Sequence, residues 1–293
     1  MKICSVIVTY NPNIDKVLNL VNQLVQQEVQ VIIVDNNSKD FQLSNDLSKN
    51  CILINLKDNL GIALAQNKGI QEAIRLDASH IIFFDQDSKI DAHFIENIAS
   101  DYSNLKDSNI IAIGPRFIDE NKGFFFPALE MHNNGLMYKV NVEHIDKPIQ
   151  VSVLISSGML VSVSGLKDVG LMREEFFIDF VDTEWCLRAI SKGYKIFLSK
   201  KAIMEHSVGD DTVELLGFKV PVHSGFRRYY RVRNLFLMWK IPYISKLLII
   251  KLMLTNFAIQ ILLFLLKDKK MEYITYYLKA IRDGIKQSRN YHV

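Results

Sequence analysis

The chain reads as an α/β protein with a mainly parallel sheet and helices on both faces, followed by a helical, basic and apolar extension. Three observations predict this. Short β-branched runs alternate with stretches of helical spacing from the N-terminus to His80. Acidic residues stand directly after those runs, at Asp35, Asp58 and Asp85. Near Phe226 the charge and the hydropathy change together.

Residues 3–10 read as the first strand, after which Ile14, Val17, Leu18, Val21, Leu24 and Val25 recur at helical spacing. Residues 29–34 form a second strand ending at Asp35, and residues 51–56 a third ending near Asp58. After Gly61 a helix runs to about Leu76, and residues 80–84 supply a central strand. This βαβαβ alternation predicts parallel pairing with right-handed crossovers. The three aspartates then share the carboxyl edge of the sheet, where open α/β folds bind ligands. Residues 110–113 read as a further strand, and residues 117–150 as a polar insertion containing Asn and aromatic residues, with no readable element. Strands are expected at 151–156 and 159–163 around Ser157-Gly158. An aromatic loop, Phe176-Phe177-Ile178-Asp179-Phe180, precedes a helix at 182–192 that Gly193 stops. Two short strands around Ile196 and Ile203 lead to His206.

With 293 residues and 49% hydrophobic content, the chain suits one core domain, residues 1–225, plus an extension, residues 226–293. Cys4, Cys51 and Cys186 are odd in number and widely spaced, so neither a disulfide framework nor a zinc site is expected, in keeping with a reducing cytosol. The N-terminus passes straight into a β-branched strand without a small-residue cleavage site, which argues against a secretory signal. Residues 1–199 hold 18 Lys/Arg against 25 Asp/Glu, and residues 200–293 hold 17 against 7. An acidic body thus carries a basic tail, which suggests a polyanionic partner or an anionic membrane face. No nucleic-acid-binding motif is present, so nucleic acid is not the expected partner. Within the tail, the uninterrupted apolar core at 252–266 gives a helix of roughly 22 Å, below the roughly 30 Å hydrocarbon thickness. Asn256 and Gln260 lie inside it. The expectation is a helix lying on or dipping into a membrane, or packing in a homodimer, in preference to a span, with ordinary packing onto the domain equally open. Residues 273–289 read as a further basic helix.

The candidate chemistry centres on Ile81-Ile82-Phe83-Phe84-Asp85-Gln86-Asp87-Ser88, four apolar residues ending in two carboxylates one residue apart. Both acids can address one hard cation, Mg²⁺ or Mn²⁺, which takes its remaining ligands from substrate phosphates. The same residues also suit a solvated turn with Asp87 or Ser88 capping the next helix. Thr9-Tyr10-Asn11-Pro12 breaks the first strand where a ligand can sit, and Asp35 could accept the N3–H of uracil or thymine. Asp58-Asn59-Leu60-Gly61 turns into a helix carrying Asn67-Lys68-Gly69, whose N-terminal backbone and Lys68 could hold polar groups of a nucleotide. Asp35-Asn36-Asn37-Ser38 and Gly61 equally fit ordinary turns. Arg231 and Arg233 carry guanidinium forks that match phosphate oxygens, and they fit a solvated basic helix face as well.

Taken in order, Val8-Thr9-Tyr10-Asn11, Val34-Asp35-Asn36, Asn59-Leu60-Gly61 through Asn67-Lys68-Gly69, Asp85-Gln86-Asp87, Ser157-Gly158, Asp182-Thr183-Glu184-Trp185-Cys186-Leu187-Arg188 and His206 resemble the family 2 glycosyltransferases. The resemblance covers about residues 1–235 and implies a GT-A fold and inverting transfer from a nucleotide sugar. It implies that Thr9, Tyr10, Asp35 and Asp58 border the nucleotide, with Asn11, Asn36, Asn59, Gly61, Asn67, Lys68 and Gln86 in the same region. It gives Asp85 and Asp87 to the metal-diphosphate, His206 to completing that site, Asp182 to the general base, and Ser157, Gly158, Glu184 and Trp185 to the acceptor. An acid often precedes the base in this family, whereas here Val181 does, so Asp179 and Glu184 are neighbouring carboxylates to exclude. Asp182 is also placed to cap its helix. Asp85-Gln86-Asp87-Ser88 together with Tyr229-Tyr230-Arg231-Val232-Arg233-Asn234 looks like the rhamnosyltransferase branch. That branch implies a dTDP-L-rhamnose donor, a lipid-linked saccharide acceptor in bacterial surface polysaccharide synthesis, and a cytoplasmic place peripheral to the inner face of the cell membrane. Three other readings stay open. The first is a UDP-hexose or UDP-galactofuranose donor, since Asp35 does not distinguish thymine from uracil. The second is a sugar-1-phosphate nucleotidyltransferase, although Asn11-Pro12-Asn13 stands where a Gly-rich loop is expected. The third is a non-catalytic nucleotide-binding membrane scaffold.

Overall fold

Strand β1 (Ile3–Thr9) is followed by helix α1 (Ile14–Gln26), whose start is fixed by the Asn13 side chain accepting a hydrogen bond from Lys16 N. Val17, Leu20, Val21 and Leu24 recur on one face of α1 and are the residues it buries. These elements come from a computed structural model that describes residues 1–39, 41, 51–120, 123–132, 134–206, 211–215, 218–266 and 270–291, with backbone alone at 206, 211–215 and 218–222. Then follow β2 (Gln30–Asp35), β3 (Cys51–Asn55), α2 (Gly61–Arg75), β4 (His80–Asp85) and α3 (Phe94–Asn104). Next come β5 (Ile110–Asp119), β6 (Ala128–Met131), β7 (Met137–Val140), β8 (Ile149–Val151), β9 (Leu160–Ser162) and α4 (Val163–Val169). The chain continues through α5 (Val181–Ser191), β10 (Lys195–His206), β11 (Asp211–Leu215) and β12 (Phe218–Val222) to α6 (Gly225–Met238), α7 (Lys246–Leu266) and α8 (Lys270–Arg289).

Eight strands form one sheet in the order β3-β2-β1-β4-β9-β5-β10-β8. The pairs β1–β2, β1–β4, β2–β3 and β5–β10 are parallel, while β9 runs antiparallel to both β4 and β5, and β8 to β10. Helix α2 lies close on β1. A side chain at Gly69 would put its Cβ 2.3 Å from Val6 Cγ1, so only glycine permits this approach. The core gathers Ile7, Leu20, Leu24, Ile33, Ile82, Phe94 and Ile98, all fully buried.

Three expected elements differ from those observed. The strand expected at 151–156 ends at Val151, as β8. The strand expected at 159–163 stops at Ser162, because the Ser162 hydroxyl accepts from Gly165 N (3.1 Å) and starts α4 in its place. The two short strands expected around Ile196 and Ile203 are one strand, β10, with a shift in its pairing to β5 between Leu198 and Ile203. The shift lies opposite Pro115, which has no N–H to give a ladder. Buried Asp101 secures the displaced residues by accepting from Ser199 Oγ (2.6 Å), Lys200 N (2.8 Å) and Lys201 N (2.9 Å).

Packing divides the chain into two compact units, Met1–Glu130 with Lys139–Phe177 and Val181–His206, and Met131–Tyr138 with Ile178–Phe180 and Ser207–Val293. The division therefore falls after His206 and not at residue 225. Residues 178–180 belong with the helices for a visible reason. Asn234 Nδ2 donates to the carbonyls of Ile178 and Asp179 (both 2.9 Å), and Arg227 and Arg231 hold the Asp179 carboxylate. In the second unit α7 has 21 residues, about 31 Å of helix, and so is longer than the 22 Å expected. By length and composition it is sufficient to cross a membrane.

Candidate active site

Parallel pairing brings Thr9 opposite Asp35 and Val8 opposite Asp85, so the first, second and fourth strands end in one row. Asp35 is 4% exposed and is held by its neighbours. Its Oδ1 accepts from Thr9 Oγ1 (2.8 Å) and Ser38 Oγ (2.5 Å), and its Oδ2 from Ser38 N (2.8 Å). Ionised, the carboxylate has room for about four donors, which leaves Oδ2 able to accept one more. Asn11, in the left-handed region (φ 45°), donates its N–H to Ser38 Oγ and accepts from Lys39 N, closing the first loop onto the second. Asn36 joins the second loop to the third, donating to Asn59 Oδ1 (2.9 Å) and accepting from Leu60 N (2.8 Å). Tyr10 and Asp58 are exposed at this edge.

The acidic loop is equally fixed. Asp85 is half-buried and Asp87 exposed. Asp85 N faces the hydroxyls of Ser88 (3.1 Å) and Ser157 (3.4 Å), which lie 2.8 Å from each other. Gln86 Oε1 accepts from Tyr10 N (2.8 Å), so the first-strand loop and the acidic loop are latched together. Gly158 N donates to Phe83 O (2.6 Å), which seats residues 156–158 beside the end of β4. Gly158 has φ +74°, and a Cβ there would meet Met204 Sδ at 2.5 Å and Pro115 Cγ at 2.6 Å.

The same turn holds Asp182. Its Oδ2 accepts from Ser156 N (3.2 Å) and its Oδ1 from Thr183 N (2.7 Å), while the residue remains half-buried. Ser156 N therefore holds the Asp182 carboxylate while the neighbouring Ser157 hydroxyl faces the backbone N of Asp85, so one short turn touches both residues. The neighbouring acids are differently employed. Glu184 is fully buried, with Arg173 Nε at 3.0 Å from Oε1 and Arg188 Nη2 at 3.1 Å from Oε2. Asp179, 4% exposed, is gripped by Arg227 and Arg231 at 3.3 and 3.2 Å. Both carboxylates are thus committed to arginines.

Several expected binding residues are committed to the protein itself. Trp185 is fully buried and donates Nε1–H to Gly170 O (2.9 Å), so with Glu184 it forms core and not an acceptor surface. Asn67, 2% exposed, accepts from Met172 N and donates to Met172 O and Glu174 Oε1, clamping that segment onto α2, while Lys68 beside it is exposed. The N-terminus of α2 is also taken, because Ile62 N donates to Phe177 O (2.7 Å). Gly61 makes this possible with φ +86°. On α6, Arg231 engages Asp179 and lies over the Phe180 ring. Arg233 is 6% exposed and donates Nε–H to Asn234 Oδ1 (3.0 Å). Residues two apart on a helix point about 200° apart, so the two guanidinium groups leave α6 on different faces. The side chain of His206 lies outside the described residues, and its backbone ends β10 opposite Asp119.

Residues 4–170 match the family model for glycosyl transferase family 2. The chain belongs to that family. As a family 2 glycosyltransferase it is 39% identical, over 97% of its length and 95% of the relative's, to the dTDP-rhamnosyl transferase RfbF of Shigella flexneri. Among solved structures, the S. aureus TarS 1-349 fragment aligns with 98% of this glycosyltransferase and 80% of itself, at 17% identity and a TM-score of 0.59. The same fragment in complex with UDP-GlcNAc aligns at a TM-score of 0.57, with 16% identity, 99% coverage of this chain and 83% of that one. GalNAc-T7, solved with UDP, GalNAc and Mn²⁺, aligns at 14% identity and a TM-score of 0.60, covering 83% of this chain and about half (49%) of that one. These likenesses carry the fold, which is GT-A.

In this glycosyltransferase the donor set at Asp85 and Asp87 is two hard carboxylates at a rigid strand end, one half-buried and one exposed, which fits Mg²⁺ or Mn²⁺. No cluster of three His, Cys, Asp or Glu gathers among the described residues, so a cation here would draw further ligands from diphosphate and water. Sequence reasoning missed Ser156 and took Ser88 only for a helix cap. The signal available was the tandem Ser156-Ser157-Gly158, two donors followed by the one residue suited to a left-handed turn. Phe177 was also missed, for nothing in the sequence marks its carbonyl as the cap of α2.

Proposed function

We propose that this glycosyltransferase moves L-rhamnose from dTDP-β-L-rhamnose to a hydroxyl of a lipid-linked saccharide, with inversion, in bacterial surface polysaccharide synthesis at the cytoplasmic face of the membrane. The observation that carries the mechanism is the shared turn, which holds the Asp182 carboxylate at Ser156 N and the backbone N of Asp85 at Ser157 Oγ. The donor assignment is supported by the named activity of the Shigella flexneri relative.

Thymine N3–H meets Asp35, whose orientation is set by Thr9 and Ser38. The diphosphate lies toward Asp85 and Asp87, where a bound divalent cation supplies Lewis-acid neutralisation of the charge growing on the leaving group. Asp182 accepts the proton of the acceptor hydroxyl as that oxygen attacks the anomeric carbon. The bond to the departing dTDP breaks on the opposite face, through an oxocarbenium-like state. One displacement leaves one inverted glycosidic bond, dTDP, and a proton on Asp182.

The test is a panel of dTDP- and UDP-sugars with an extracted lipid-linked acceptor, measuring nucleoside diphosphate release with and without chelator. Turnover of dTDP-rhamnose that chelator abolishes is the expected result. Preference for a UDP-hexose or UDP-galactofuranose would overturn the donor, and undiminished turnover in chelator would overturn the cation.

A further inference from the structure

Among the described residues, helix α7 leaves one face without a partner. Leu247, Ile250, Leu254, Phe257, Ile261 and Phe264 are between 42% and 64% exposed, and their spacing of three and four residues draws them into a single line along the helix. The opposite face is the one that packs, through Leu248, Ile249, Asn256, Gln260 and Leu263. From Lys240 to the C-terminus there are ten Lys/Arg against three Asp/Glu. Cations also frame the apolar line within the fold. Lys246 Nζ lies 5.5 Å from the Trp239 ring at one end, Lys270 Nζ lies 5.9 Å from the Phe264 ring at the other, and Lys251 is exposed between Leu247 and Leu254.

We infer that this face of α7 seats the protein on an anionic lipid bilayer, with the helix lying in the plane of the interface. This deepens the reading above by naming the surface that meets the membrane.

Two alternatives fit less well. A second copy of the chain could zip along the same line, but the flanking positions hold Lys246, Lys251, Met253, Ala258 and Leu265, with no acid to pair across a seam. Two copies would oppose lysine with lysine, whereas anionic headgroups neutralise them, and Leu265 and Ala258 widen the apolar face as an interfacial helix requires. A span is opposed by Arg228, which is 5% exposed and donates Nη2–H to the carbonyl of Asn256, the central residue of α7. Crossing the bilayer would bring that guanidinium to the midplane, where it is most disfavoured. Helix α8, with Lys279, Arg282 and Lys286, packs along α7 and would be drawn in too.

The experiment uses the full chain with vesicles of phosphatidylcholine alone or mixed with phosphatidylglycerol, and no sugar substrate, so that lipid binding is read apart from donor turnover. The unaltered chain should sediment with the mixed vesicles and far less with neutral ones. Leu254→Glu/Phe257→Glu should weaken that partition by about a hundredfold or more. Lys251→Glu/Lys270→Glu should weaken it about tenfold or more, on anionic vesicles only. The unaltered chain gives an independent reading, because Trp239 is 40% exposed while Trp185, the other of its two tryptophans, is fully buried. Anionic vesicles should therefore shift its fluorescence to the blue. Failure to sediment, an unshifted spectrum, or equal partition of the folded Leu254→Glu/Phe257→Glu protein would each overturn the inference. So would a lipid-free dimer that this variant converts to monomer, which would assign the face to a second copy.

Discussion

Asp182 and Glu184 are separated by one residue, and their surroundings predict opposite consequences of the same small change. In Asp182→Asn, one oxygen remains for Thr183 N or Ser156 N, so the loss is about one hydrogen bond at a half-exposed site, roughly 0.5–1.5 kcal/mol. Removing the base should lower kcat by about 10²–10⁴, or about 2.7–5.4 kcal/mol of barrier, and leave donor affinity nearly unchanged. In Glu184→Gln, a fully buried carboxylate held by two guanidinium groups loses its charge, while Arg188, at 13% side-chain exposure, loses that counter-ion and Arg173, at 18%, keeps Glu175. Breaking a buried pair in this way costs about 3–5 kcal/mol, which lowers Tm by roughly 6–20 °C for a chain of this size. The activity of the fraction still folded should change only severalfold. The assay pairs calorimetry with transfer kinetics and donor titration on each variant. A folded Glu184→Gln protein devoid of transfer, beside Asp182→Asn within tenfold of the original, would show the base to be wrongly assigned.

Four further outcomes are expected. Asp87→Ala should raise the divalent-ion concentration needed for half-maximal donor binding by about tenfold or more without altering Tm, read by calorimetric titration. Gly61→Ala places a side chain at φ +86° with its Cβ 2.6 Å from Phe177 O, and should cost at least about 2 kcal/mol in a thermal melt. Cys4, Cys51 and Cys186 are buried, and burial raises the pKa of each thiol, so a disulfide-exchange reagent should label none in the native protein and all three after denaturation. Burial, and then the nearby N-terminal charge, lowers the His80 pKa below its ordinary 6.5, so the unfolded chain takes up the proton first on acidification. That contribution to stability is complete above a pH of about 6.5 and shrinks below it, and His80→Asn should flatten the dependence of Tm on pH in that range.

The first half of the fold was legible because its periodicities are local. β1, β2, β3, β4, α1 and α2 each announce themselves within a dozen or so residues, and their pairing follows from the handedness of the crossovers. The insertion at 117–150 was not, since what organises it is remote. Buried Arg116 donates to the carbonyls of Val142 and Glu143 and lies 4.7 Å from the centre of the Phe125 ring. The candidate site divides in the same way. Asp35 and Asp85 could be placed from strand ends, but what links Asp182 to the end of β4 is a turn formed by residues 156–158. The assignment of Glu184 and Trp185 to the acceptor could not be checked without knowing which face of α5 is buried. Arg233 illustrates the same difficulty on α6. The length of α7 was underestimated because Lys251 was taken as an end, whereas in the fold its exposed side chain lets the helix continue on both sides.

Holding the Asp182 carboxylate and the main chain of Asp85 from consecutive residues of a single bend has a mechanical result. Any displacement of that bend, thermal or caused by repacking beneath it, carries Asp182 and the end of β4 in the same direction. Their separation thus changes less than either absolute position.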